Sequence, residues 1–188
     1  MKTITAPLIE PVSLDLAKAH LRVTDASEDT LISLYIKSAR ETAEHRTGRT
    51  MIEQTLEFSL DNFADAIELP TSNVSEIVSV KYINTSGTET TLAPSSYYLD
   101  SSSLTNWIIP AYGVPFPSTL GSANGVTIQF KAGYGATADL VPANVITWML
   151  LAIGSMYAHR ESVSDGQTYE LPKSFCDGLL DSVRTWRI

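Results

Sequence analysis

The spacing of apolar residues changes period twice along the chain. Between Pro11 and Gly48 they recur every three or four positions, between Ile52 and Tyr134 they alternate with polar residues, and after Gly135 the helical spacing returns. In "PVSLDLAKAHLRV", Ser13 is placed to cap a short helix, Asp15 lies in its first turn, and Leu14, Ala17 and Leu21 share one side. "DASEDTLISLYIKSARETAEHRTGR" predicts a longer helix. Ser27, or Asp25 with Glu28 three residues on, supplies the cap, and Leu31, Ile32, Tyr35, Ile36, Ala39 and Ala43 form one face. Arg46 falls in the last turn, and Gly48 suits a left-handed stop.

In the middle zone, Ile52, Leu56, Phe58 and Leu60 alternate with Glu53, Thr55, Glu57 and Ser59, the pattern of a half-buried antiparallel strand. Further strands are expected at 76–83, 88–93, 96–100, 104–110 and 125–134, separated by turn chemistry such as "NTSG", "APSS" and "PAYGVPFPSTLGSANG". Short strands at this spacing suggest a small sandwich or open barrel.

The third zone, "VPANVITWMLLAIGSMYAHRE", is apolar almost all round. A membrane span is the alternative to a buried helix, and length decides between them. The 16 residues from Ala143 to Ala158 would reach roughly 24 Å, against a hydrocarbon core of about 30 Å, and they include Asn144, Thr147 and Gly154. A helix buried on several sides is therefore expected, followed by a last helix with Phe175, Leu179, Val183 and Trp186 along one face. Such a helix needs partners that the strand zone cannot supply alone. The expected fold is α+β: a small bundle of about four helices, two at each end of the chain, with an antiparallel β subdomain inserted between them. The expected boundaries are 1–50 for the first helices, 51–136 for the insertion and 137–188 for the helices that complete the bundle.

Composition changes this picture little. The chain has 188 residues, 44% of them hydrophobic and 18% charged, which is ordinary for a globular protein. One cysteine, Cys176, fits a reducing compartment, and the start of the chain does not read as a signal peptide. Charge is more informative. The formal net charge is −8, and residues 51–134 hold two basic and eight acidic side chains. That balance argues against a general nucleic-acid binder, because phosphate contacts require lysine and arginine.

The sequence shows no catalytic constellation. His20, His45 and His159 stand singly near helix ends, and no HExxH, paired CxxC, GxSxG or phosphate-loop motif occurs. The Gly-x-Gly of "AGYGAT" leaves a strand without a phosphate-binding lysine, and Cys176 is followed by acidic Asp177. The acidic residues of the strand zone alternate with apolar ones, so they line an outer face and do not converge as a catalytic pair. The expectation is a protein with no catalytic residue, no cofactor and no metal.

Six segments in order carry a resemblance: "EPVSLDLAKAHLRV" (10–23), "RTGR" (46–49), "PAYGVPFP" (110–117), "VTIQFKAGYG" (126–135), "VPANVITWMLLAIGSMYAHRE" (141–161) and "LP" (171–172). Together the chain resembles the head–tail connector proteins of tailed bacteriophages, also called adaptor or head-completion proteins. Many relatives have tryptophan where Phe116 and Met156 stand here, and both exchanges stay apolar. The resemblance implies a ring, dodecameric on the portal, that assembles below the portal protein, extends the DNA channel and offers a surface to a stopper or tail-completion protein. It implies a virion protein at the head–tail junction, put together in the host cytoplasm, with duplex DNA passing through unbound and no membrane involved. It assigns the last helix to the portal, through Phe175, Leu179, Val183, Trp186, Arg187 and Ile188. The all-round apolar helix would supply subunit packing, through Trp148, Leu151, Met156 and Tyr157.

A reading from another class stays open at this stage: a monomeric ligand-binding β module on a helical base, with a pocket made of Tyr97, Tyr98, Trp107 and Tyr112.

Overall fold

The computed structural model describes residues 1–160 and 173–185. The chain divides into a helical unit, Ile9–Ile52 with Gly135–Ile188, and a β unit, Met1–Leu8 with Glu53–Tyr134.

In the helical unit, α1 (Leu14–Leu21) starts where the Ser13 hydroxyl accepts the N–H of Leu16 at 3.2 Å, and it stops at Arg22 in the left-handed region, φ 58°. Helix α2 (Asp29–Thr47) stops at Gly48, φ 68°. Its start differs from the expectation. Glu28 is the cap residue and makes no capping hydrogen bond. Asp25 instead closes its own turn by accepting the N–H of Ser27 at 2.9 Å, and Glu28 is drawn off toward the end of the third helix. Lys18 reaches across to Asp29 at 2.5 Å and ties the two helices together. Helix α3 (Ala143–Ala158) packs against α1, α2 and α4 (Lys173–Asp181). Three neighbours explain a helix that is apolar nearly all round, with Val145, Trp148, Met149 and Ile153 buried. The approach to α1 is close at Gly154, where an added Cβ would stand 3.4 Å from His20 Nε2.

The β unit holds two antiparallel sheets. One has five strands in the order β1 (Lys2–Thr5), β2 (Gln54–Leu60), β8 (Val126–Ala132), β4 (Val74–Ile83) and β5 (Glu89–Thr91). The other runs β3 (Ile67–Glu68), β7 (Trp107–Pro110) and β6 (Tyr97–Asp100). Strand β8 shows why the larger sheet forms. Val126, Ile128, Phe130 and Ala132 are buried and alternate with Thr127, Gln129 and Lys131, and Leu56 sits opposite Phe130. Ile67 and Ile108 from the smaller sheet join the same core, each such side chain contributing about 1.5–3 kcal/mol on burial. Asn106 links the sheets: its side chain accepts the N–H of Val74 at 2.8 Å and its carbonyl that of Leu69 at 2.9 Å.

Two boundary expectations are corrected. Residues 1–8 lie in the β unit, because β1 pairs along the outer edge of β2. Met51 and Ile52 lie in the helical unit, where both are buried.

Candidate assembly surfaces

The last helix is anchored by one amide. Asn144, in the first turn of α3, donates to the carbonyl of Leu179 at 2.6 Å and to the hydroxyl of Ser182 at 2.8 Å. The chain then returns to α2, where Thr185 donates to the carbonyl of Thr47 at 2.8 Å. This mounting sets the rotation of α4. Leu180 is the buried residue, while Leu179 and Val183 are only half-covered. One residue turns the helix by about 100°, so the inward position lies beside the stripe expected from spacing and not on it. Of Phe175 the backbone alone is described, and Trp186, Arg187 and Ile188, like the "LP" at 171–172, lie outside the described residues. A crevice of about 260 Å³ runs along this end, lined by Arg46, Leu180, Asp181 and Arg184.

The four residues expected to pack against a neighbouring subunit are placed differently from one another. Trp148 is buried within its own unit, with the guanidinium of Arg46 5.5 Å from its ring centre. Leu151, Met156 and Tyr157 are half-buried. The Tyr157 hydroxyl donates to Glu28, and Arg160 both pairs with Glu28 at 2.5 Å and lies 4.7 Å from the centre of the Tyr157 ring. The hydroxyl of Tyr157, then Arg160, hold the Glu28 carboxyl below its usual range, and Glu28 in turn raises the Tyr157 phenol.

A second polar cluster surrounds one buried cation. Arg40 is 5% exposed; it meets Glu10 at 2.8 Å and Glu44 at 2.9 Å, with Glu41 at 3.7 Å. Arg40 borders the buried stripe of α2, one turn after Ile36, and its partner Glu10 is thirty residues away in the sequence. The i,i+4 spacing of Arg40 and Glu44 is a local signal for the pair, but nothing local points to Glu10.

On the β unit, Tyr97, Tyr98, Trp107 and Tyr112 do not build a pocket. Tyr97 packs against the core, its strand neighbour Tyr98 is 52% exposed, and Tyr112 is fully exposed on a turn closed by Gly113. A cleft of about 490 Å³ lies elsewhere on the unit, between the 62–65 turn and the proline-rich loop, over Phe63 and Phe116.

Among the described residues no group of three or more His, Cys, Asp or Glu side chains could hold a metal ion. His159 Nδ1 lies 3.1 Å from the carbonyl of Ser155, and Cys176 is half-buried. No described helix is long and apolar enough to cross a membrane.

No curated protein matches the chain. Several solved chains share its fold. A chain from the virion of a native gene transfer agent particle has a TM-score of 0.80 at 22% identity, covering 100% of this chain and 96% of that one. A chain from the neck of the empty particle, computed with C6 symmetry, has 0.78 at 24%, covering 100% and 96%. One from the neck of the native particle, computed with C12 symmetry, has 0.71 at 20%, covering 100% and 97%. The model of the phage gp6-like head-tail connector family matches residues 11–110, from the entry into α1 to the end of β7. The chain thus belongs to the phage gp6-like head-tail connector protein family.

Proposed function

We propose that this connector assembles as a ring below the portal of a tailed phage or prophage, extends the DNA channel, and presents a docking surface to stopper or tail-completion proteins. The family match over residues 11–110 carries this reading. A twelvefold ring suits a subunit whose fold recurs in a neck computed with C12 symmetry. The last helix faces the portal, through Phe175, Leu179 and Val183 and the following Trp186, Arg187 and Ile188. Leu179 and Val183 keep part of their surface free for such a partner. Leu151, Met156 and Tyr157 contribute to contacts between subunits. Trp148, already covered inside its own unit, supports that surface from beneath.

The work is structural, without catalysis or cofactor, at the head–tail junction of a virion built in the host cytoplasm. Duplex DNA passes without specific binding: the β unit holds three basic and eight acidic side chains, too few cations for many phosphate contacts. The test uses DNA-filled heads purified from a phage mutant lacking this protein. Added back, the chain should appear by electron microscopy as a ring on the portal vertex and restore tail joining. Heads that accept tails equally well without it would overturn the proposal.

A further inference from the structure

The cleft on the β unit has a built floor and a charged rim. Phe63 and Phe116 stack with centroids 4.7 Å apart and planes 12° from parallel, and Tyr82 leans on Phe63 at 5.6 Å. Pro110, Pro115 and Pro117 line it with the exposed Asp65. Its two loops are fastened to their surroundings. Asn62 accepts the hydroxyl of Thr119 at 2.6 Å, and Asp61 accepts the N–H of Asn124 at 2.9 Å. Gly125 passes so near that an added Cβ would stand 2.7 Å from the Asp61 carbonyl. A cleft held by its own framework binds with little ordering cost.

Flat rings beside a free carboxylate call for a planar cation. A guanidinium stacks on an aromatic face and meets a carboxylate with two parallel hydrogen bonds, which an ammonium cannot do. Asp65 has no cationic partner among the described residues. The matching group stands on the helical unit. Arg22 closes α1 at φ 58°, in a conformation usually left to glycine, and its exposed side chain has no partner among the described residues. Of the other described arginines, Arg40 and Arg160 pair with carboxylates, Arg46 lies over Trp148 and Arg184 has contacts of its own, while Arg49 is half-buried with its Nε enclosed and unbonded and is less exposed than Arg22.

We propose that Arg22 of one copy enters the Phe63–Phe116–Asp65 cleft of the next copy. The inference deepens the ring reading and rests on it. Donor and acceptor are different surfaces of one chain, so the contact is head-to-tail and closes a ring when the rotation between copies allows it. The charge balance agrees: the acceptor's unit is strongly acidic, and the donor's unit holds ten of the thirteen lysines and arginines.

Assembly of the full chain is read by sedimentation velocity over a concentration series, and by electron microscopy on connector-deficient heads. Arg22→Asp and Asp65→Arg should each weaken assembly about tenfold or more. The double variant, which exchanges the charges, should return it to within about threefold of wild type. Circular dichroism melting checks that each variant folds. Rings that tolerate both reversals, or a double variant that is not rescued, overturn this contact and leave the ring reading standing. A wild-type chain that assembles neither alone nor on heads overturns both. Rings that tolerate Asp65→Arg while tails no longer join would give the cleft to a tail-side protein, and so overturn the contact between copies.

Discussion

Arg40 and Glu44, one turn apart on α2, form an ion pair of 2.9 Å whose acidic member also accepts the backbone N–H of Met51 at 2.9 Å. The pair therefore fixes the helix and the chain that leaves it. Removing one partner of a buried pair strands the other, at a cost of about 3 kcal/mol. Arg40→Ala should destabilise the helical unit by about that amount in urea titrations followed at the helix band. A change under about 0.5 kcal/mol would mean that water takes over the role of the guanidinium.

The burial of Met51 and Ile52 sets where the β insertion can be cut. Replacing Glu53–Tyr134 by a short Gly/Ser linker should leave a helical chain that melts cooperatively, because closure cost changes slowly with loop length. Starting the replacement at Met51 should cost several degrees more. A disordered spectrum from the first variant would show that the helices need the sheets.

Glu28 gives the helical unit an acid sensitivity. Its folded carboxyl titrates below the usual range, so its contribution is present above the unfolded value and is lost as pH falls through the folded one. Wild type should lose melting temperature in that acidic window faster than Glu28→Gln, whose titration is gone. Parallel curves for the two proteins across the window would exclude the mechanism. The site is exposed, so the difference should be small.

Leu180 and the last three residues of the sequence should separate stability from binding. Leu180→Ala removes a side chain that is 3% exposed and should lower the melting temperature by about 5–10 °C. Deleting residues 186–188 should shift it by no more than about 3 °C and abolish co-sedimentation with portal rings. A collapse in stability, or retained binding, would reject the portal assignment.

What the sequence revealed follows from the range of the forces involved. Ser13, Gly48 and the alternation of Val126, Ile128, Phe130 and Ala132 act within a few residues, and each appears where its spacing places it. Strand β1 was missed because all four of its residues are exposed: backbone pairing to β2 makes it a strand, and no apolar alternation announces it. The Ser27 or Asp25 cap failed because Glu28 answers to Tyr157 and Arg160, more than a hundred residues away. The contacts of Arg40 with Glu10 and of Asn106 with Val74 were invisible for the same reason. The cleft over Phe63 and Phe116 joins loops that spacing alone could not bring together.

Strand β1 also orders events at the ribosome. Lys2–Thr5 emerges about fifty residues before its partner β2, residues 54–60, whose other neighbour β8 ends only at Ala132. The helical unit waits longer still, since α1 and α2 lack their central partner until Ala143–Ala158 has been made. Such distant pairings fold slowly. The nascent chain therefore closes its sheets before its bundle, and α1 and α2, translated ahead of β2 to β8, are covered after them.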